Sequence, residues 1–154
     1  MPEAGAVAAG QTVEIVLGLD YGERRIGVAV GNVLTGTSAP LETLPAENGK
    51  PRWERLGQLI DDWRPQLLVV GQPQTEDGTE HPLARRIQAF SDRLRARYGL
   101  PVRWVDEQFT SAEAEARLRT ARQTGRRRPI RKEDIDALAA AILLEQWLSR
   151  GDPA

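Results

Sequence analysis

The sequence contains no cysteine and a single histidine, His81, among its 154 residues. Without thiols, the chain has no disulfides, thiolate nucleophiles, zinc–thiolate sites or iron–sulfur clusters, and one imidazole argues against a histidine-rich metal centre. The longest unbroken apolar run, Ala137 to Leu144, has eight residues, too few to span a bilayer as a helix. No basic residue precedes the weakly apolar start of the chain, unlike the start of a signal peptide. These absences predict a soluble, cytoplasmic protein.

The length of the chain predicts a single domain. A chain of 154 residues can bury a core of its own without disulfide or metal support. Residues 1–12 are rich in alanine and glycine, which is typical of a loosely held terminus. We therefore expect a flexible tail over residues 1–12 and one domain over residues 13–150.

The net charge of −1 conceals an uneven distribution of charge. Residues 1–84 carry a net charge of −6, residues 85–132 carry +9 and residues 133–154 carry −4. A run of like charge is usually a solvated face or a mobile loop, but it is also the pattern of a polyanion-binding surface. A solvated loop and a nucleic-acid contact therefore remain alternatives. The eight basic residues of the segment 117–132, which has no acidic residue, are Arg117, Arg119, Arg122, Arg126, Arg127, Arg128, Arg131 and Lys132.

The pattern of apolar residues predicts an α/β fold. Three strands come first and form a meander, and the later strands alternate with helices, which favours parallel pairing through crossovers. We therefore expect a mixed five-stranded sheet with helices on both faces. The predicted strands are residues 13–20, 26–31, 35–44, 67–70 and 101–105. The predicted helices are residues 51–63, 82–98, 111–120 and 134–148, with a basic loop over residues 121–132.

Prolines, glycines and tryptophans give more local expectations. Pro45 is expected to end the third strand, Pro51 to occupy the first turn of the first helix, and Gly71 to begin a loop. Gly99 is expected to cap the second helix. The register of the four tryptophans favours the core over an exposed stacking role; they are Trp53, Trp63, Trp104 and Trp147.

Three segments bring carboxylates to one edge of the predicted sheet. Asp20 ends the first strand, Glu107 follows the fifth, and the last helix begins near Asp134 and Asp136. Taken singly, each has an ordinary explanation as a turn residue or a helix N-terminal acid. Clustered carboxylates repel unless a cation lies between them, and Mg²⁺ or Mn²⁺ prefers such oxygen ligands. A pair of these ions can activate water and stabilise a leaving oxygen, which is the chemistry of phosphodiester hydrolysis.

Helix geometry separates Asp134 from Asp136. Two positions along a helix differ by about 200°, so at most one of these side chains can meet Asp20 and Glu107. The apolar stripe is predicted to be Ile135, Leu138, Ala139, Ile142 and Leu143. Asp136 lies beside that stripe, whereas Asp134 is placed to cap the helix. We therefore assign Asp136 to the metal and Asp134 to the N-cap.

Four segments occur in order within residues 16–148: LGLDYGERRIGVAVG, VVGQPQTEDGTE, VDEQFTSAEAEA and DIDALAAAILLEQWL. They resemble the signature segments of the YqgF family, whose members are described as RuvX-like Holliday-junction resolvases and as pre-16S rRNA nucleases. The resemblance implies a ribonuclease-H-like fold with catalytic carboxylates that bind divalent metal, here two Mg²⁺ or Mn²⁺ ions. By motif these carboxylates are Asp20, Glu107 and Asp136. Gln108 departs from the pattern, since the family usually has arginine there.

The loops contribute candidate contacts to nucleic acid. Thr79, in the loop that matches the second segment, is expected either to hold a phosphate or to cap the following helix. Thr110 is a candidate N-cap with Glu113 as its capping-box partner, and it is also predicted to contact nucleic acid. His81 is more simply interpreted as a loop residue without a role as a base. The remaining predicted nucleic-acid contacts are Arg126, Arg127, Arg128, Arg131 and Lys132.

These observations favour a metal-dependent nuclease that acts on structured RNA, branched DNA or both. The alternatives are a catalytically weak nucleic-acid-binding module of the same fold and an actin-like ATPase. The ATPase needs two domains to enclose its nucleotide, which a chain of 154 residues does not supply. Symmetric cutting of a four-way junction would favour a homodimer.

Overall fold

A computed structural model describes residues 13–72, 82–106, 115–117, 119–120 and 132–150. The strands are β1 Ile15–Asp20, β2 Arg25–Asn32, β3 Thr37–Glu47, β4 Lys50–Pro51, β5 Leu67–Gln72 and β6 Val102–Asp106. The helices are α1 Trp53–Trp63, α2 Ala84–Tyr98 and α3 Lys132–Ser149. Residues 115–117 and 119–120 are also helical. The predicted tail, residues 1–12, and most of the predicted basic loop lie outside the described residues.

The strands form one mixed sheet in the order β4-β3-β2-β1-β5-β6. The pairs β1–β2, β2–β3 and β3–β4 are antiparallel, whereas β1–β5 and β5–β6 are parallel. The five longer strands therefore confirm the predicted meander followed by parallel crossovers. None of the helices among the described residues has the length and apolar character needed to cross a membrane.

The sixth strand, β4, was not predicted. It has two residues, and Lys50 pairs with Glu47 across a two-residue turn formed by Asn48 and Gly49. Both turn residues have positive φ, 52° and 78°, as in the tight turn that Asn-Gly favours. The strand was missed because two residues give no periodicity, although the Asn-Gly pair itself was a hairpin signal.

The helices cover both faces of the sheet, as predicted. Alternate residues of β1 separate the two sides, with Leu17 and Leu19 facing α1 and α2, and Val16 facing α3. The core on the α1/α2 side includes Ile26, Val28, Leu56, Leu59, Ile87, Phe90 and Leu94. The core on the α3 side includes Ala29, Leu67, Val69, Val105, Ala140, Leu143, Leu144 and Trp147.

Glycines let α3 lie close to the sheet. A Cβ on Gly18 of β1 would fall 2.4 Å from Leu144 Cγ, and one on Gly31 of β2 would fall 3.3 Å from Leu144 Cδ1. Any larger side chain at Gly18 would push the helix outwards. Gly18 therefore helps to set the distance between α3 and the sheet.

Several local predictions were wrong at prolines and at one glycine. Pro45 lies inside β3 because its neighbour Ala46 donates to Arg24 O at 2.8 Å, so the ring nitrogen of Pro45 faces away from β2, where no hydrogen bond is needed. Pro51 belongs to β4, and α1 begins at Trp53. Gly71 continues β5 because β6 pairs with it through Val105. Gly99 does cap α2, with φ 66°.

The tryptophan prediction was correct for Trp147 but wrong for two others. Trp63 is 42% exposed and Trp104 is 38% exposed. Trp63 is the last residue of α1, and Trp104 lies on the edge strand β6, whose one neighbour is β5. The Trp104 ring nitrogen still donates to Ser91 Oγ at 2.9 Å. Trp53 is half-buried against the α1/α2 core.

The last helix differs from its prediction in its start and its packing. α3 begins at Lys132, so Asp134 lies in the first turn and is not the N-cap. The predicted apolar stripe is wrong in part: Leu143 packs against the sheet, whereas Ala139 and Ile142 form a separate cluster with Ile135 and Leu138 beside it. The helix is apolar nearly all round, so its periodicity does not single out one face.

Candidate active site

The first candidate carboxylate, Asp20, lies at the carboxyl end of β1 on the α3 face. Val16 and Gly18, at alternate positions before it, both contact α3 or its side of the core, and Asp20 continues that alternation. Asp20 is half-buried and stands directly opposite Gly27 of β2. Side chains at such paired positions are about 4.5–5.5 Å apart at Cβ, so whatever lies over Gly27 lies beside Asp20.

The segment over Gly27 is the start of α3, at the second candidate carboxylate. A Cβ built on Gly27 would fall 1.9 Å from the backbone oxygen of Asp136 and 3.0 Å from the nitrogen of Ala137. Only glycine leaves room for a backbone at that distance. Asp136 is one helical turn before Ala140, which packs on the sheet. The fold therefore brings Asp20 and Asp136, which are distant in sequence, to the same edge and face.

A third residue at this edge, Arg25, was missed by sequence reasoning. Its Nε donates to Asp136 Oδ2 at 2.7 Å. The two side chains are 37% and 26% exposed, so the pair is partly shielded from solvent. Arg25, Gly27 and Ala29 are alternate residues of β2 and therefore share one face of the sheet. This alternation in the sequence could have placed Arg25 on the α3 face.

The third predicted carboxylate, Glu107, lies outside the described residues. The strand before it, β6, ends at the half-buried Asp106. In the part of the chain that the structure describes, no three acidic or histidine side chains are grouped so that they could hold a metal ion. The structure thus brings two of the three predicted ligands together, and the role of Glu107 stays a prediction.

Most of the predicted nucleic-acid contacts also lie outside the described residues. This applies to Thr79, Thr110, Arg126, Arg127, Arg128 and Arg131, as well as to His81 and Gln108. Lys132 is described only as the backbone at the start of α3.

Two arginines at the start of the basic segment are described, and both are ion-paired. The Arg117 guanidinium donates to both carboxylate oxygens of Glu145, at 3.0 and 2.9 Å, which ties the helical residues 115–117 to α3. Arg119 pairs with Glu115, one turn earlier, at 3.4 Å. These two arginines therefore have structural partners, so the prediction of a polyanion-binding surface now concerns the residues that follow them.

A family comparison identifies the chain. Residues 14–150 match the family model RuvX, described as Holliday junction resolvase. The chain belongs to the RuvX family. This match confirms the resemblance noted in the sequence.

Among curated relatives of this RuvX-family chain, an Azotobacter vinelandii protein is 48% identical over 137 residues, which cover 88% of this chain and 93% of that protein. A Burkholderia ambifaria protein is 46% identical over 135 residues, covering 88% and 89%. Both carry the name "Putative pre-16S rRNA nuclease".

Solved structures confirm the fold of this RuvX-family chain. RuvC from T. thermophilus in complex with a Holliday junction substrate superimposes with a TM-score of 0.51 at 22% identity, covering 90% of this chain and 96% of that one. The Fowlpox virus resolvase in complex with Holliday junction DNA gives a TM-score of 0.54 at 10% identity, covering 87% and 98%. At such identities the likeness concerns the fold, which is the ribonuclease-H-like architecture expected from the sequence.

Proposed function

We propose that this RuvX-family chain is a metal-dependent nuclease that hydrolyses phosphodiester bonds of structured nucleic acid. The observation that carries the proposal is the close approach of α3 to β2 at Gly27, the residue paired with Asp20, which brings Asp20 and Asp136 to one edge of the sheet. The family description and the names of the relatives both concern nucleic-acid cleavage. The chemistry of the two side chains agrees with those names.

The donor set fits a hard divalent cation. Asp20 and Asp136 supply carboxylate oxygens, and the chain has no thiol and one histidine with which to bind a softer metal. Glu107 is proposed as the third ligand, because it follows β6 directly and has the parity of Val105, which packs on the α3 side. When bound, Mg²⁺ or Mn²⁺, as a pair of ions, would supply activated water and stabilise the leaving oxygen.

The chain's own residues give the site its shape and charge balance. Asp20 is held by a paired strand and Asp136 by a helix backed by the core, so neither depends on a loop for its position. Arg25 holds the Asp136 carboxylate through Oδ2, which orients the group and offsets its repulsion with Asp20. We therefore assign Arg25 as a positioning residue for Asp136.

The substrate class follows from the relatives' names and the family description. We propose the precursor of 16S rRNA, a four-way DNA junction, or both, as substrates. An rRNA precursor as substrate places the protein in the cytoplasm, and symmetric junction cutting would require two copies related by a two-fold axis. Arg126, Arg127, Arg128, Arg131, Lys132, Thr79 and Thr110 are proposed to contact the phosphate backbone.

The metal requirement is tested with protein freed of metal. Cleavage of a labelled junction and of a precursor-rRNA fragment should be absent in excess chelator and restored by Mn²⁺ or Mg²⁺. Asp20→Asn and Asp136→Asn should each lose nearly all turnover while the melting temperature changes little, because each removes a ligand charge at constant shape. Full cleavage in chelator by metal-free protein would overturn the proposal.

The matched control for these variants is Asp134→Asn. It removes an equal charge from the same first turns of α3 but lies about 200° around the helix from Asp136. We expect it to keep most of the turnover. Equal losses for Asp134→Asn and Asp136→Asn would contradict the assignment of Asp136.

A further inference from the structure

A cavity lies at the same edge of the sheet as Asp20, on the opposite face. It has a volume of about 280 Å³ and is lined by Tyr21, Asn48, Gly49, Lys50, Arg86, Ala89, Phe90 and Arg93. Tyr21 follows Asp20 directly and packs against the α1/α2 core. Neighbouring residues of an extended chain point to opposite faces. The cavity and the candidate active site therefore lie on either side of the end of β1.

The rim of this cavity is positively charged. Lys50 comes from β4, and Arg86 and Arg93 come from α2, and all three side chains are exposed. Arg86 is ion-paired with Glu23, so it is held in place and partly neutralised. Within the described residues, Lys50 and Arg93 have no ion-pair partner. Two cations that have no ion-pair partner among the described residues therefore line one concave surface.

The floor of the cavity is aromatic and firmly held. The ring of Tyr21 lies 5.1 Å from that of Phe90, and the turn at Gly49 covers the Tyr21 hydroxyl so closely that a Cβ there would fall 1.8 Å from it. Gly49 N also donates to Glu23 O at 2.9 Å. The Glu23 carboxylate, two residues after Tyr21 in sequence, already pairs with Arg86. A preorganised cavity loses less side-chain entropy on binding than a flexible surface does.

We propose that Lys50, Arg86 and Arg93 bind a backbone phosphate of the nucleic-acid substrate, on the face of the sheet opposite the phosphate that is cleaved. The inference rests on the proposed nuclease function, since it takes Asp20 as the reacting site. Arginine and lysine clusters of this kind suit phosphate oxygens. A strand that crosses the end of β1 would meet the carboxylates on one face and these cations on the other.

The adjoining surface extends this path. A larger cavity of about 630 Å³ shares Asn48 and Lys50 with the first and adds Arg52 and Trp53 to its lining. Glu47 also lines this larger cavity, and its negative charge marks the end of the positively charged surface. Lys50 thus lies between the two cavities and is the first residue to test.

The test compares Lys50→Ala/Arg93→Ala with wild type and with Arg64→Gly/Arg150→Ala, where glycine suits the positive φ of position 64. The control removes two exposed arginines that do not line the cavity, so the total charge of the two variants is equal. Binding of a four-way DNA junction and of a precursor-rRNA fragment is measured in chelator across a range of salt concentrations. Cleavage rates are then measured with Mn²⁺, and melting temperatures report folding.

We expect the Lys50/Arg93 variant to bind roughly tenfold more weakly and to flatten the slope of log affinity against log salt by about 0.7–0.9, the contribution of one phosphate contact. KM should rise while kcat stays near that of wild type, and Lys50→Arg/Arg93→Lys should restore binding. If wild type cuts the substrates and both double variants bind equally, the phosphate site is wrong and the nuclease function stands. If wild type neither binds nor cuts either substrate, the proposed function itself fails.

Discussion

At the scale of single residues, Gly27 decides whether the two carboxylates meet. It is paired with Asp20 and lies under the backbone of Asp136, so it touches both halves of the site without contributing a side chain. The two carboxylates were predictable because each ends or opens an element. The contact between Arg25 and Asp136 was not, since it joins β2 to α3 and depends on how far the helix descends onto the sheet.

Gly27→Ala should destabilise the protein and reduce turnover. The new Cβ would meet backbone atoms of Asp136 within 2.4 Å, and a helix backbone cannot move aside as a flexible side chain can. We expect a loss of about 1–3 kcal/mol in the free energy of unfolding, measured by urea denaturation. In the fraction that still folds, kcat should fall because Asp136 is displaced.

Gly31→Ala is the matched control, on the same strand and the same face. Its Cβ would meet only side-chain atoms, the nearest being Val16 Cγ2 at 3.0 Å, which can shift. Its effect on stability and on kcat should be much smaller. Equal losses for the two variants would show that the close approach at Gly27 does not control the site.

At the scale of elements, the sequence predicted those with a strong period or a clear cap. The buried strand β5, the amphipathic helix α2 with Gly99 and the meander were all found. The errors fall where tertiary pairing overrides a local rule: Pro45 is tolerated inside β3 because its nitrogen faces away from β2. Pro51 is a second such error, because a proline before an amphipathic segment predicts the first turn of a helix. In the structure Pro51 belongs to β4, whose pairing with β3 depends on the turn at Asn48 and Gly49.

One contact between elements has a definite pH dependence. The Arg55 side chain of α1 donates to Glu42 of β3, with Nε–Oε2 at 2.8 Å and Nη2–Oε1 at 2.5 Å. This hydrogen bonding lowers the pKa of Glu42 below its ordinary value of 4.5, against the effect of burial. A carboxyl group whose pKa is lower in the folded than in the unfolded state stabilises the fold at pH values above its unfolded-state pKa. This stabilisation is lost as the pH falls through the folded-state pKa.

Glu42→Gln should therefore be less stable than wild type at pH 7. The difference should shrink once the pH falls below 4.5 and vanish where Glu42 is protonated in both states. Melting temperatures of wild type and variant between pH 7 and pH 3 measure this. A constant difference across the range would contradict the contribution of the Glu42 carboxylate.

At the scale of the whole molecule, charge is separated along the chain and partly paired in space. The net charge of +9 over residues 85–132 includes arginines that the fold engages, such as Arg117 with Glu145. Sequence alone does not distinguish such partners from free charge, because the two residues are 28 positions apart. The rest of the basic segment stays a predicted substrate contact.

Replacing Arg126, Arg127 and Arg128 together by alanine should weaken binding to every sequence alike. If each contacts one phosphate, the slope of log affinity against log salt should flatten by about 2–3. Fluorescence anisotropy with a junction and with an RNA fragment measures that slope. An unchanged slope would assign these arginines to a solvated surface, and the cavity at Lys50 would remain to account for binding.

The position of α3 late in the sequence also has a consequence during synthesis of the protein. Asp136 is made 116 residues after Asp20, and at about 5–20 residues per second of translation this interval is roughly 6–23 s. During that time the face of the meander that α3 covers, including Val16 and Ala29, is without that helix, and Asp136 has not yet been made. On the proposed assignment of Asp136, the nascent chain therefore has no complete active site until α3 has been made and has packed on the sheet. Docking of this last helix would be the step after which cleavage can begin.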